Sequence, residues 1–209
     1  FSQLSTRKKT WPPTSLDMAD DALRELWKGS PLSLQKLEGY GHGMVCTRRV
    51  EPNEILLALP LEKCWTAAAA RATLLGDLES ELLEALSDAT LIVLHILMVM
   101  NGREDEEHRK EHAGFLLTAT NGDFLLDWND EELRWLKGSK WPMVSQALKE
   151  DILAEYEELI DLMKDFFTMH GISGERFLWG HKLLLSRAMT FVQEGKEEPL
   201  MVLGPGQDM

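Results

Sequence analysis

Three glycines at alternate positions, Gly39, Gly41 and Gly43, lead directly into a short apolar segment. A glycine main chain can approach a bound small molecule closely, because no side chain holds the ligand off and positive φ is accessible. Tyr40 and His42 fill the positions between the glycines. The stretch predicts a ligand pocket with a rim of main-chain atoms. A plain tight turn is the alternative, because phosphate sites normally place such glycines between a strand and a helix, whereas these enter a strand.

Arg187 is the second residue whose surroundings suggest chemistry. It lies in the mostly apolar segment 184–191, on a predicted helix. An arginine there needs a carboxylate or main-chain partner, because an unpaired buried charge is costly. One interpretation is an ion pair within the fold, and the other is a clamp on the carboxylate of a ligand. A ligand with both an adenosine and an amino-acid moiety would suit a glycine loop together with an arginine.

The histidines give weaker signals. His95 lies in an apolar helix, where a hydrogen-bonded core histidine is the preferred interpretation. His108 and His112 have the i, i+4 spacing of metal ligands, but they lack an H-E-x-x-H arrangement and lie in a run of charges that favours a solvated face. The sequence contains no G-x-S-x-G elbow and no phosphate loop. It therefore predicts no metal site and identifies no catalytic side chain.

The composition is acidic, with 35 Asp and Glu residues against 22 Lys and Arg residues in a chain of 209. This balance argues against a general nucleic-acid binder, which needs basic residues to neutralise phosphates. A basic protein partner, such as a lysine-rich segment, is compatible with the acidity, which otherwise serves solubility. The longest apolar run, residues 91–100, is too short to span a bilayer.

The cysteines and the first residues bear on the compartment. Cys46 and Cys64 are the only cysteines and form no C-x-x-C pair, so we predict two buried, reduced thiols and an intracellular protein. Residues 1–15 are basic, rich in hydroxyl groups and without an acidic residue. This composition is typical of an organelle transit peptide and equally of an ordinary flexible terminus.

The strand pattern predicts a small β unit near the start of the chain and the beginning of another near its end. Strands are predicted at residues 32–37, 43–47 and 55–59, with the second and third joined as a hairpin. Residues 200–203 have a similar pattern, and the chain looks interrupted soon after them.

The helix pattern fills most of the rest. Helices are predicted at residues 16–27, 67–75, 78–86, 88–100, 142–170 and from Ser173 through Ala188. Asn129 resembles a helix cap, and Gly171 a C-terminal stop. Residues 103–112 are dense in charge and predict a solvated helix or loop.

Five segments, in order, are similar to motifs of SET-domain proteins of the Rubisco large-subunit methyltransferase-like group. They are residues 40–50 (YGHGMVCTRRV), 54–60 (EILLALP), 112–116 (HAGFL), 128–139 (WNDEELRWLKGS) and 177–188 (FLW, then SRA). The chain thus resembles this family over most of its length. The resemblance implies an α+β fold in which a knotted, SET-like β unit carries a large helical insertion.

Composition and the resemblance together divide the chain into four predicted parts. Residues 1–15 form a flexible or transit-derived arm, and residues 16–66 an N-terminal helix with the SET β unit. Residues 67–172 form the helical insertion. Residues 173–209 begin the second SET part, which looks truncated.

The function implied by the resemblance is S-adenosylmethionine-dependent methylation of lysine in a non-histone protein. Tyr40, Gly41, His42 and Gly43 would line the cofactor, and Arg187 would meet its carboxylate region. The partners would be a protein substrate or partner proteins, without nucleic acid. The expected location is a plastid, with the cytoplasm, nucleus or mitochondrion as alternatives.

Two other functions stay open at this point. The first is a catalytically inactive SET-like subunit of a larger protein assembly. Its support is that Tyr40 stands where family members often have Glu, and that Met189 replaces a Phe. The family's Asn-His segment and its later channel tyrosine also have no match in these residues, so this chain alone is not expected to form a complete active site. The second is an all-helical scaffold in which the glycine loop is only a turn.

Overall fold

A computed structural model describes residues 28–37, 41–103, 105, 107–119, 124–193 and 196–201. The predicted arm, the predicted helix at residues 16–27, and both Gly39 and Tyr40 lie outside the described residues. The described residues form a mostly helical structure with small antiparallel sheets. This mixture agrees with the predicted α+β class, while the SET-like arrangement of the β unit stays a prediction.

The first sheet is a hairpin of β1 (Leu32–Leu37) and β2 (Gly41–Cys46). Leu32 lies opposite Cys46, and Leu37 lies opposite Gly41. The prediction of a strand at residues 32–37 is confirmed, and β2 begins two residues before the predicted residue 43. The predicted pairing of the second and third strands is wrong, because β2 pairs with β1.

The predicted strand at residues 55–59 is also wrong, since these residues form no regular element. A tight turn precedes them, in which the N–H of Glu54 donates to the carbonyl of Glu51 and Asn53 has a φ of 66°. The hydroxyl of Ser30 donates to the carbonyl of Leu56 at 2.6 Å. A side chain at the start of the hairpin therefore satisfies a main-chain group that a strand partner would otherwise use.

The second sheet contains three strands, β3 (Trp65–Thr66), β4 (Ala188–Gln193) and β5 (Lys196–Met201), in the order β3-β5-β4. Each neighbouring pair is antiparallel, and Met201 lies opposite both Trp65 and Ala188. The predicted strand at residues 200–203 overlaps the end of β5. We expected Ala188 to continue a helix, but it is extended (φ −75°, ψ 143°), so the helix ends one residue earlier.

The helices follow the predicted pattern closely. They are α1 (Ala67–Leu74), α2 (Ser80–Ala85), α3 (Asp88–Met100), α4 (Glu107–Ala119), α5 (Asp130–Leu133), α6 (Trp141–Leu162), α7 (Lys164–Met169) and α8 (Gly174–Arg187). Asn129 caps α5 as predicted, with a complete capping box. The predicted helix at residues 142–170 is two helices, because Met163 has non-helical angles (φ −132°, ψ 39°). Gly171 follows with a φ of 59°, as predicted for a C-terminal stop.

Helix α3 is the centre of the core. Every side chain from Thr90 to Val99 is buried, and the helix packs against α1, α4 and α8. Its approach to α8 is close at Gly180, where an added Cβ would lie 2.6 Å from Cγ1 of Val93. The glycine is therefore required by packing between two helices.

The helical block begins and ends at the same sheet. Strand β3 leads directly into α1, and α8 leads directly into β4, while β5 pairs with both strands. A helical block inserted into a β unit needs such a return. The predicted domain limits after residues 15, 66 and 172 stay predictions.

Candidate functional site

Gly41, His42 and Gly43 form the first half of β2. Their pairing partners in β1 are Leu37, Lys36 and Gln35. Within the described residues β2 pairs only with β1, so alternate main-chain N–H and C=O groups point away from the hairpin. Such an edge could bind a polar ligand through main-chain groups. Tyr40, the fourth predicted residue of this rim, lies outside the described residues.

Arg187 is the last residue of α8, and its side chain is half-buried. Strand β4 begins at the next residue, so the guanidinium lies at a junction between a helix and a strand. Within the described residues, the glycines and Arg187 adjoin different sheets, the first hairpin and the three-stranded sheet. The prediction that the glycines of β2 and Arg187 face one pocket stays a prediction.

A cavity of about 710 Å³ lies elsewhere in the helical block. Its lining comes from the turn before α2, from α2, and from the junction of α6 and α7: Asp77, Leu78, Glu79, Leu82, Asp161, Leu162, Met163, Lys164, Asp165 and Phe166. Among the described residues, Gly41, His42, Gly43 and Arg187 contribute nothing to its lining. The cavity is therefore separate from these four residues.

A buried polar cluster was missed by the sequence analysis. Asp105 and Arg109 are joined by an ion pair of 3.0 Å, and both side chains are almost fully buried. The second carboxylate oxygen of Asp105 contacts Nε2 of His95 at 2.5 Å. Arg109 also donates to the main-chain carbonyl of Glu62 at 2.8 Å. We call Trp65, His95, Asp105, Arg109 and His112 the Trp65 cluster, because they surround that side chain.

Aromatic contacts complete the Trp65 cluster. The indole N–H of Trp65 donates to Nδ1 of His112 at 2.9 Å. The ring of His95 meets the indole edge to face at 5.0 Å, and the guanidinium of Arg109 lies 5.9 Å from the indole centroid. These contacts attach β3 and the turn before it to α3 and α4.

The buried histidines of this region decide two predictions. His95 is a hydrogen-bonded core histidine, as predicted. The solvated face expected for His108 and His112 is wrong, since both are buried. The i, i+4 spacing of Asp105 and Arg109 was the signal that could have indicated an internally neutralised charge pair. In the described part of the chain, no group of three or more His, Cys, Asp or Glu side chains could hold a metal ion.

A second polar contact links three helices near the core. Thr90 of α3 donates to one carboxylate oxygen of Glu155 in α6, and the other oxygen lies 3.9 Å from Nε2 of His181 in α8. Burial lowers the pKa of His181, and the neighbouring carboxylate of Glu155 opposes that shift. The ring of Phe177 lies 4.7 Å from the imidazole between centroids, tilted by 60°. The histidine is therefore held in an environment that favours its neutral form.

The two cysteines differ in exposure. Cys64 is buried, as predicted, and its thiol lies 3.7 Å from the carbonyl of Pro60. Cys46 is exposed, which corrects the prediction. It is the last residue of β2, where the strand leaves the hairpin.

Comparisons with known proteins find relatives but no matching family profile. The chain is 26% identical over 154 residues to the chloroplastic fructose-bisphosphate aldolase-lysine N-methyltransferase of Arabidopsis thaliana. It is 28% identical over 153 residues to the chloroplastic ribulose-1,5 bisphosphate carboxylase/oxygenase large subunit N-methyltransferase of Pisum sativum. Each match covers 72% of this chain.

The matches cover only 30% of the length of either relative. Both relatives are named as protein N-methyltransferases, and the first name specifies lysine. Among the described helices, none combines the length and the apolar character that a membrane span requires. The comparisons support a relationship between this chain and a family of protein-lysine N-methyltransferases.

Proposed function

We propose that this chain is the SET-type cofactor-binding part of an S-adenosylmethionine-dependent protein-lysine N-methyltransferase with a non-histone substrate. The observation that carries the proposal is the similarity to two chloroplastic protein N-methyltransferases over 72% of the chain. The five motif-like segments found in order along the sequence support the SET assignment. The return of the helical block to one sheet is compatible with a helical insertion.

The residues of the chain suit the chemical groups of the methyl donor. On the outer edge of β2 the main-chain groups of His42 point away from β1, and the flanking Gly41 and Gly43 have no Cβ that would hold a nucleoside away. Tyr40 and His42 are assigned to the same rim. The guanidinium of Arg187 is suited to the carboxylate of the donor's amino-acid portion, which it can bind through two hydrogen bonds.

The bound donor supplies an electrophilic methyl group on a sulfonium. The lysine nitrogen forms a bond to that carbon as the bond to sulfur breaks, and the amine proton passes to solvent. The protein then needs to hold the two reactants in line, and it needs no nucleophile of its own. The role of Gly41, Gly43 and Arg187 is therefore binding and orientation of the donor.

The substrate and location follow the two relatives. We propose a plastid location, because both relatives are named as chloroplastic. Fructose-bisphosphate aldolase and the Rubisco large subunit, which those names specify, are the first acceptors to test. The acidic balance of the chain suits a lysine-bearing protein segment.

The test is a calorimetric titration of S-adenosylmethionine into the full-length natural protein and, separately, into the 209-residue chain. The full-length protein should bind the donor, and it should add methyl groups to lysine in one of the two acceptor proteins, as measured by intact mass. A full-length protein that binds no donor would contradict the proposal and favour the inactive SET-like subunit. If the protein binds the donor but methylates neither acceptor, the assignment of the cofactor stands and the two named substrates are rejected.

A further inference from the structure

The cavity at the junction of α6 and α7 has an apolar part and a charged part. Its buried lining is apolar, since Met163 and Phe166 are almost fully buried and Leu78 and Leu82 pack against the core. Its volume of about 710 Å³ lies within the range of about 300–1,000 Å³ that is typical of ligand pockets. We call this space the α6–α7 cavity and its apolar lining the floor. The exposed lining is mostly charged: Glu79, Asp161, Leu162, Lys164 and Asp165.

Negative charge in the α6–α7 cavity is largely unpaired. Four carboxylates line the cavity, against a single ammonium group. Asp77 is paired, because Arg103 contacts its carboxylate at 2.5 Å. In the part of the chain that the structure describes, Glu79, Asp161 and Asp165 form no ion pair and no side-chain hydrogen bond. A concave surface with charge of one sign concentrates counter-ions, so the cavity attracts cationic groups.

The cations that suit this cavity belong to a chain and not to a metal ion. A metal ion needs several oxygen ligands that converge on one point at about 2.0–2.6 Å. Among the described residues, no group of three or more His, Cys, Asp or Glu side chains could hold a metal ion, so these carboxylates do not converge. The floor offers apolar area, on which lysine and arginine lay their aliphatic stems while the charge stays in water. Separate cations that are joined by apolar groups therefore match the lining.

We propose that the α6–α7 cavity binds a segment of a partner protein in which lysine or arginine residues are interspersed with apolar ones. The apolar side chains of that segment pack on the floor, and Leu162, which is 70% exposed, extends this contact toward solvent. The cations of the segment face Glu79, Asp161 and Asp165. The cavity is separate from the described residues of the proposed cofactor site, so this binding requires no methyl donor.

Fluorescence anisotropy measures this binding directly. The full-length natural protein is titrated into a fluorescein-labelled peptide of sequence GKLKLKLG at low salt. No S-adenosylmethionine is present, so a failure here is distinct from a failure of the proposed cofactor binding. The peptide should bind, and two peptides of the same length should bind about tenfold more weakly or worse. GSLSLSLG lacks the cations and GKSKSKSG lacks the apolar side chains, and neither kind of contact alone is strong at an exposed site.

Charge reversal on the protein locates the binding site. The cavity variant replaces three exposed carboxylates of the lining: Glu79→Lys, Asp161→Lys and Asp165→Lys. The control variant replaces three exposed carboxylates elsewhere, with the same change in net charge: Glu62→Lys, Glu150→Lys and Asp151→Lys. The cavity variant should bind GKLKLKLG about tenfold more weakly or worse, because three attractions become repulsions. The control variant should bind like the wild type, and thermal unfolding shows whether both variants are folded.

A second pair of variants tests the apolar contact. Leu162→Ala removes an exposed apolar side chain of the lining, and Met169→Ala removes one of similar exposure outside the lining (70% and 71%). Leu162→Ala should weaken the binding of GKLKLKLG about threefold or more, because the leucines of the peptide lose apolar contact area. Met169→Ala should leave the affinity unchanged.

A wild-type protein that binds none of the three peptides would overturn the proposal. Equal affinities for GKLKLKLG and GKSKSKSG, or equal losses in the cavity variant and the control variant, would also overturn it, because they would indicate only a general attraction to an acidic protein. The same holds if Leu162→Ala binds as tightly as the wild type. Binding that appears only after residues 1–15 are removed would assign the cavity to the chain's own basic segment, against the proposal.

Discussion

The indole N–H of Trp65 donates a hydrogen bond of 2.9 Å to Nδ1 of His112, and both side chains are almost fully buried. Trp65 belongs to β3, the edge strand of the second sheet, and His112 lies in α4, 47 positions later. The bond therefore attaches the sheet to a helix that a run of charged residues had suggested to be solvated.

Trp65→Phe should lower the free energy of unfolding by about 1–3 kcal/mol, because it leaves Nδ1 of His112 buried without a donor. The lost indole volume adds to this effect. Urea denaturation measures the change. Trp141→Phe is the matched control, since Trp141 is 53% exposed and should tolerate the same replacement. Equal losses for the two variants would show that the Trp65 bond contributes nothing specific.

Gly180→Ala should destabilise the protein by about 1–3 kcal/mol, because the new Cβ would overlap Cγ1 of Val93 in the neighbouring helix. Thermal unfolding measures the change. Gly114→Ala is the control within another helix, where an added Cβ meets nothing within 4 Å. That variant should be neutral or more stable, since alanine is the better helix former by about 1 kcal/mol.

A second replacement identifies the cause of the Gly180 effect. Val93→Ala removes the methyl group that the new Cβ would meet, so the double variant with Gly180→Ala should recover part of the lost stability. Strictly additive losses in this double-mutant cycle would mean that the two side chains do not clash.

Local signals predicted the helices well and the strand pairing poorly. Helix α3 has its predicted limits, because Ser87 caps it and an apolar run fills it. The pairing of Trp65 with Met201 joins residues that are far apart in the sequence, and no local pattern encodes such a contact. Ala188, the first residue of β4, was assigned to a helix because no breaker follows Arg187.

The candidate site was also predicted only in part, because local patterns show in the sequence and long-range contacts do not. The apolar residues after the glycines predicted β2, but Gly41 and His42, which we expected in the preceding loop, already belong to the strand. The Trp65 cluster could not be found this way, because burial of Asp105 and Arg109 depends on His95 and Glu62 from other parts of the chain. The composition of residues 103–112 alone therefore predicted a solvent-exposed helix or loop.

His181 should make the stability of the protein depend on pH. Burial lowers its pKa in the folded state below the value of about 6.5 in the unfolded chain. The unfolded state then binds more protons, so this contribution is complete above about pH 6.5 and is lost as the pH falls toward the folded pKa. His170 has a pKa shifted in the same direction by burial and adds to the effect.

His181→Gln removes this titrating group while keeping a polar side chain beside Glu155. The free energy of unfolding should then fall less steeply than in the wild type between about pH 7.5 and 5.5. One group can contribute a slope of at most about 1.4 kcal/mol per pH unit. Urea denaturation at several pH values gives both slopes. Identical slopes in the two proteins would mean that His181 has the same pKa folded and unfolded.

Arg187→Ala should weaken the binding of S-adenosylmethionine to the full-length protein if the proposed role of this residue is correct. The expected loss is about 1.5–3 kcal/mol, the usual contribution of a charged hydrogen bond, or roughly tenfold to a hundredfold in Kd. Calorimetric titration measures it, and thermal unfolding shows whether the variant is folded. Arg187→Lys keeps the charge but loses the planar guanidinium. Its affinity for the donor should therefore lie between those of Arg187→Ala and the wild type. Arg134→Ala, an exposed arginine before α6, should bind like the wild type. A folded Arg187→Ala protein with unchanged affinity would remove Arg187 from the cofactor site and leave it as a structural residue between α8 and β4.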